Sequence, residues 1–370
     1  MGPFGVVMEY GGEYFEDEVK TVLGGVNSDG KSSIAGAFSQ TTLSYGIFDL
    51  TGGLRYDYFT LEGRGTVPGG TTPPLPPPIP MGPFEIDQSK GRLNPKLTLA
   101  AHATPWLQLF GTYSEAMRAP TTIETIAGGS HPGASTPASS LFPNPALKHE
   151  VQQGIELGSN VRVDGLFTRG DALRMKAAYF DMDITNYILT CTFAVDDPPG
   201  TPVERSGTFF CNAPGKARVK GVELEGMYDA GKVFAGFSYT YAHSTLPAGI
   251  ISFGAHTYLP DHYGTVTLGA RFIDQQLTVG VRVFAASEGD APGLANNKTD
   301  GNALLDLFTS YKLPGGLEIA ATVANVLGTT YTPAKTTPNT SACVPFPMPC
   351  PPEPETGRGR TFLLTARGQF

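Results

Sequence analysis

Leu277-Thr278-Val279-Gly280-Val281-Arg282-Val283 carries an apolar side chain at every odd position, with Thr278, Gly280 and Arg282 on the opposite face. Successive side chains of a strand point to opposite sides, so this run separates an apolar environment from a polar one. Just upstream, Val266, Leu268, Ala270 and Phe272 form one face and Thr265, Thr267, Gly269 and Arg271 the other. Phe362-Leu363-Leu364-Thr365-Ala366-Arg367-Gly368-Gln369-Phe370 repeats the pattern at the end of the chain, with a lapse at Leu363. A soluble sandwich would alternate equally well. The connections decide between the two, because every second one is long and a sandwich has no reason for that parity.

Worked along the chain, this rhythm predicts about fourteen strands, at roughly 5–18, 32–46, 48–62, 92–104, 106–117, 149–162, 171–188, 217–230, 232–245, 263–274, 276–287, 302–313, 317–328 and 359–370. Short turns fall at Tyr45-Gly46-Ile47, Thr104-Pro105-Trp106, Asp229-Ala230-Gly231-Lys232, Asp274-Gln275-Gln276 and Pro314-Gly315-Gly316, with the Gly, Asp and Pro content that hairpins require. Long connections alternate with them at about 19–31, 63–91, 118–148, 189–216, 246–262, 288–301 and 329–358, all on one side. The expected fold is therefore all-β: a transmembrane antiparallel up-and-down β-barrel with its long loops outside the cell and its short turns in the periplasm. One loop contains Thr71-Thr72-Pro73-Pro74-Leu75-Pro76-Pro77-Pro78-Ile79-Pro80, a polyproline II stretch that reads as a stiff surface loop.

Composition agrees with a wet lumen and an apolar exterior. Charged residues make up 16% of the chain and glycine occurs 46 times, whereas a soluble chain carries about 25% charged residues. No run of eighteen apolar residues exists to form a membrane-spanning helix. A net charge of −8 without a basic block argues against nucleic acid as a partner. No nucleotide-binding, zinc or nucleophile motif stands out, so the chain is not expected to be an enzyme or to hold an intrinsic cofactor or metal. The sequence from Met1 has no basic region, apolar core or cleavage site of a leader, which points to the C-terminal portion of a longer chain.

Four cysteines fall as two local pairs, Cys191 with Cys211 and Cys343 with Cys350, each inside a long connection rather than a strand. Disulfides there imply an oxidising compartment; free thiols are the alternative. Neither pair has metal-binding spacing.

Several segments together resemble a TonB-dependent outer-membrane receptor. They are Ala35-Gly36-Ala37-Phe38-Ser39-Gln40 with Gly52-Gly53-Leu54-Arg55-Tyr56-Asp57, Gly221-Val222-Glu223-Leu224-Glu225, Val323-Ala324-Asn325-Val326-Leu327-Gly328-Thr329-Thr330-Tyr331, and Gly359-Arg360-Thr361-Phe362 with Phe370. Their order is the family's, and the likeness covers nearly the whole chain as one barrel unit, 1–370, with no plug domain. The resemblance implies twenty-two strands in the complete barrel, of which about fourteen are present, a TonB system acting through the plug, and an outer-membrane location amid lipid. Phe370 then stands where insertion machinery reads a terminal aromatic. Glu223 and Glu225 share a face that must be lumenal.

The most specific likeness is to haem and haemoglobin receptors. Met117-Arg118-Ala119-Pro120 and Asn144-Pro145-Ala146-Leu147 look like the F-R-A-P and N-P-N-L boxes, departing from them at Met117 and Ala146. In that subfamily a histidine between the boxes ligates haem iron, and His131 lies between them here, in Gly128-Gly129-Ser130-His131-Pro132-Gly133. Neutral imidazole is a standard axial ligand of haem iron. The resemblance thus implies uptake of haem or haem-protein iron, with haem as transported ligand. A ferric-siderophore receptor is the alternative within the class, and a truncated, non-inserting relic is the alternative outside it. Of the other histidines, His149 reads as interfacial at a strand start and His102 as lumenal and structural, since Leu97, Leu99, Ala101 and Ala103 take the lipid face. His256 and His262 belong to another long loop, and their spacing selects neither.

Overall fold

The computed structural model describes residues 4–21, 28–67, 82–130, 140–195, 205–245, 260–290, 298–331 and 356–368. In chain order, β1 (Gly5–Val19), β2 (Asp29–Tyr45), β3 (Phe48–Val67), β4 (Gly82–Thr104) and β5 (Leu107–Arg118) come first. Helix α1 (Thr122–Ile126) and the short strands β6 (Gly129–Ser130) and β7 (Ser140–Phe142) follow. Then come β8 (Glu150–Asp164), β9 (Ala172–Thr185), β10 (Ile188–Val195) and β11 (Arg205–Asn212). The remainder is β12 (Lys216–Asp229), β13 (Val233–Ser244), β14 (His262–Phe272), β15 (Leu277–Ala286), β16 (Gly289–Asp290), β17 (Lys298–Thr299), β18 (Asn302–Lys312), β19 (Leu317–Ala324) and β20 (Thr361–Gly368).

Fourteen strands form one antiparallel sheet in the order β1-β2-β3-β4-β5-β8-β9-β12-β13-β14-β15-β18-β19-β20. Each strand pairs with its sequence neighbours in that sheet, the meander of an up-and-down barrel wall. Among the described residues no pairing joins β1 to β20. The count and the alternation of short and long connections agree with the sequence expectation. Several strands run further than periodicity indicates on the long-connection side: β3 and β4 pair from Phe48↔Ala101 out to Val67↔Gly82. The polyproline stretch, the Cys343/Cys350 pair and Phe370 lie outside the described residues.

Register puts the apolar side chains on one face. Leu50 lies opposite Leu99, and Gly52 opposite Leu97; Leu268 faces Val281 and Val266 faces Val283. These side chains stay open to the surroundings, with Leu97 at 53% and Leu268 at 50% exposure. A water-soluble fold would bury them, whereas a barrel turns them to lipid. Exposed aromatics border the band: Tyr45, Phe48, Trp106 and Phe272 at the short-turn end, and Tyr56, Tyr113, Tyr179 and Tyr239 towards the long connections. From Phe48 to Tyr56 is roughly 26 Å along the strand at about 3.3 Å per residue, and tilt brings that near the ~25 Å apolar band of such barrels.

The other face is polar and internally bonded. Thr42 and Thr51 share a hydroxyl hydrogen bond of 2.9 Å, as do Thr98 and Thr112. His102 sits 2.8 Å from Asp49, and Asn160 donates to Gln108 at 2.9 Å. His102 is thus a structural group of the polar face.

Two local devices shape the wall. In the β8–β9 turn the Asp171 carboxylate accepts the backbone N–H groups of Leu166, Phe167 and Thr168 at 2.6–2.8 Å and the Tyr228 hydroxyl at 2.8 Å. Burial would raise this carboxyl, but the Phe167 N–H and the Tyr228 hydroxyl, followed by the other two N–H groups, outweigh it and hold it down at about 2. At the far end of β19, Asn325 adopts a left-handed backbone with φ 49°. It ends the strand at Ala324, four residues before the expected boundary. Its side chain accepts from Thr329 N at 2.9 Å and donates to Thr329 O at 2.8 Å.

Two measurements check the faces and the turn. Leu268→Arg on the apolar face should destabilise the barrel by about 2–4 kcal/mol in denaturant unfolding from liposomes, while Ser238→Arg, opposite Glu225 on the polar face, should cost under about 1 kcal/mol. Because the folded pKa of Asp171 lies below the unfolded value of about 3.9, its contribution is complete above pH ~4 and is lost as pH falls towards ~2. Its carboxyl carbon, followed by NMR, should titrate near 2 in the folded protein, and a midpoint near 4 would contradict the turn geometry.

Candidate functional site

The long connections after β5 and β9, expected as irregular loops, fold together into a second sheet in the order β10-β11-β7-β6. This corrects the placing of Cys191 and Cys211 outside strands: they lie in β10 and β11, bonded to each other with their Cα atoms 5.9 Å apart. β7 joins β11 in parallel, with Thr208↔Leu141 and Phe209↔Phe142. Such a pairing between segments distant in sequence leaves no local periodic trace.

Arg118, the last residue of β5, is the centre of this region. Its Nε and Nη2 donate to the two carboxylate oxygens of Glu150 at 2.7 Å each, a bidentate fork. Its Nη1 donates to both oxygens of Glu124 at 2.9 and 3.1 Å. Glu124 in turn belongs to the capping box of α1: Thr121 N donates to its carboxylate at 2.8 Å and its own N–H donates to the Thr121 hydroxyl at 3.2 Å. Glu150 Oε1 also accepts the Ile188 N–H at 2.7 Å. One guanidinium therefore ties α1, the start of β8 and the start of β10 together.

The second box braces the same region from the other side. Asn144, 3% exposed, donates to Phe210 O at 2.7 Å and accepts from Ala146 N at 2.9 Å, while its own N–H reaches Thr125 O at 2.9 Å. Leu147 is buried. Asn212 bridges further, accepting from Lys148 N at 2.8 Å and donating to Lys148 O and Asn186 O at 2.9 and 2.7 Å. Below the boxes Leu61, Phe84, Ile86, Ile126 and Phe142 form a buried cluster, with Phe209 packed against it. The helix comes so close to β2 and β3 that a Cβ on Gly30 or Gly63 would collide with Ile126, which explains glycine at both places.

His131 lies outside the described residues, but both ends of its segment are fixed. Gly129 pairs with Leu141 and Ser130 with Ser140, so the chain leaves and re-enters a hydrogen-bonded hairpin base. Met117, Arg118, Ala119 and Pro120 lead into that base, and Asn144, Pro145, Ala146 and Leu147 lead out of it. The structure thus brings the two boxes together around one platform. His262 is elsewhere, at the start of β14, with its Nδ1 2.8 Å from the Tyr239 hydroxyl; His256 is outside the described residues.

His149 follows the second box. Its ring is half-buried and meets Phe59 edge-on with centroids 6.2 Å apart. Burial, then the charges of Arg92 and Lys90, push its pKa below the ordinary value, so it is neutral at pH 7. Sequence reading missed Glu124, Glu150, Asn186 and Asn212 as parts of the site. Thr121-x-x-Glu124 carried a legible capping-box signal; the other three are joined only in three dimensions.

Comparison with known proteins gives concordant results. The family described as TonB dependent receptor-like, beta-barrel matches residues 4–326. The heme/hemopexin utilization protein C of Haemophilus influenzae (strain 86-028NP) is 27% identical over 235 residues, 59% of this chain and 30% of that protein. A hemin receptor of Yersinia enterocolitica is 38% identical over 91 residues, 24% of this chain and 13% of that protein. Among solved structures, the Serratia marcescens hemophore receptor HasR, a double mutant in complex with its hemophore HasA and heme, superposes with a TM-score of 0.73 and 28% identity over 99% of this chain and 56% of that one. The chain spans about a third or less of the length of these curated relatives and just over half of that solved chain.

The clamp is open to test. Arg118→Ala should speed hydrogen exchange at the Thr125 and Ala127 amides of α1 by about tenfold or more, the equivalent of one or two lost charge-assisted hydrogen bonds, and leave amides of β12 and β13 unchanged. Equal acceleration everywhere would mean that Arg118 supports the barrel and not the platform.

Proposed function

This chain belongs to the TonB-dependent receptor-like β-barrel family, and from that premise we propose that it supplies the ligand-capturing wall and loops of an outer-membrane receptor for haem or haem-protein iron. The observation that carries the reading is the hairpin base Gly129–Ser130 and Ser140–Leu141, clamped by Arg118 and Asn144, from which the segment containing His131 emerges. Beside it stand the relatives, whose names specify haem or hemin.

Arg118, Glu124 and Glu150 fix where the chain leaves the wall, so the base of the ligand-gripping segment is ordered before a ligand arrives. The His131 imidazole supplies an axial nitrogen to the iron of an arriving haem. The polar face of the fourteen-stranded sheet then offers a wet route inward, and the apolar face keeps the wall in outer-membrane lipid. Transport through a TonB system, acting on a plug that this chain would surround, completes the proposal. The role is binding and passage; no step alters a covalent bond of the ligand.

Haem titration of the protein in detergent micelles tests it. The wild type should shift the Soret band to that of an imidazole-ligated species, and His131→Ala should weaken binding by about tenfold or more, as loss of a metal ligand requires. An identical spectrum and affinity in both proteins would overturn the assignment and favour a ferric siderophore as cargo.

A further inference from the structure

Immediately below the apolar cluster, the polar face of β3 and β4 carries a ladder of groups that the loop platform does not use. Register places Phe59 opposite Lys90 and Asp57 opposite Arg92. Phe59 is buried at 4% exposure and backs the ring of His149. Lys90 is exposed, and among the described residues it makes no ion pair. Arg92 pairs through Nη2 with Glu115, while its Nε is buried with no hydrogen-bond partner. An imidazole, a free ammonium and a guanidinium with an unused donor thus lie on adjoining strands and the loop above them.

These neighbours select a kind of ligand. Lys90 and Arg92 beside an imidazole disfavour a bare divalent metal ion, since like charges repel more strongly at a protein surface than in water. They attract a metal that arrives already held in an anionic chelate. In agreement, no cluster of three or more His, Cys, Asp or Glu side chains able to hold a bare ion occurs among the described residues.

We propose that His149, Lys90 and Arg92 form a second contact site for a metal chelate bearing carboxylates, with the imidazole on the metal and the two cations on the acidic groups. The site rests on the haem reading given above: haem has an iron with two axial positions and two carboxylate arms. It lies on the polar wall, next to the platform that presents His131, so it would receive haem as the next station inward. Phe59 is a positioning residue that limits the tilt of the imidazole ring.

The test is haem titration in micelles of four proteins: wild type, His131→Ala, His131→Ala with His149→Gln, and Lys90→Ala. Glutamine keeps the bulk against Phe59, and unchanged heat-modifiable migration verifies folding. His131→Ala should retain a weaker complex whose Soret band is still imidazole-ligated, and adding His149→Gln should abolish that band. Lys90→Ala should keep the wild-type band and weaken binding about two- to fivefold, the range of an exposed charge pair. A residual band that survives His149→Gln overturns the site, as does a His131→Ala protein that binds no haem, and both leave the first reading intact. A wild type without any Soret shift removes the haem reading itself and this one with it.

Discussion

A peptide N–H or C=O placed in hydrocarbon has no water to bond, and each one left unpaired costs several kcal/mol. That constraint governs the wall of this protein. Each strand between β1 and β20 in the main sheet answers it by pairing along both edges, in unbroken antiparallel register apart from a shift near His102. Pairing fixes the pleat, and the pleat assigns alternate side chains to lipid and to the polar side. Leu97, Leu99, Leu268 and Phe272 are exposed for this reason, and Thr98, Thr112, Asp49 and His102 bond one another on the opposite face. Above the aromatic border water satisfies the backbone again. There the chain is free to leave the sheet, and there it builds a helix, a second sheet and a disulfide.

The platform depends on a convergence of charge. Two carboxylates from separate elements, Glu124 and Glu150, meet on one guanidinium, and each bonds elsewhere as well. Glu124 caps α1, while Glu150 holds the first amide of β10. Removing one partner would leave partly buried charge behind, so the elements move together or stay together. Asn144 and Asn212 add neutral bridges between the same segments, and the Cys191–Cys211 bond closes the β10–β11 hairpin on which β7 leans. Loops that carry function are commonly held this way, on a rigid support.

Much of the wall was legible because it obeys one period. Alternation identified the fourteen strands, and the parity of the connections identified the two ends. Boundaries were less clear where a strand outruns the membrane, as β3 and β4 do, since beyond the lipid either face can be polar. Asn325 cut β19 short through a left-handed backbone that no hydropathy pattern announces. The boxes around His131 were visible as motifs, but their physical role was not. Arg118 could be read as a motif residue, whereas its pairing with Glu150 depends on register between β5 and β8. The second sheet escaped for a similar reason: β6 and β7, of two and three residues, carry too few side chains to show a period, and β7 joins β11 in parallel across a wide gap in sequence. His149 read as interfacial, and only its neighbours on β3 and β4 show what surrounds it.

In the proposed function a protein histidine, presented above the polar wall, holds the iron of the cargo. Electron paramagnetic resonance of ferric haem bound to protein labelled with nitrogen-15 in histidine tests this most directly. The expected result is hyperfine coupling between the iron and the labelled histidine nitrogen, in whichever spin state the haem adopts. A signal without that coupling would contradict it.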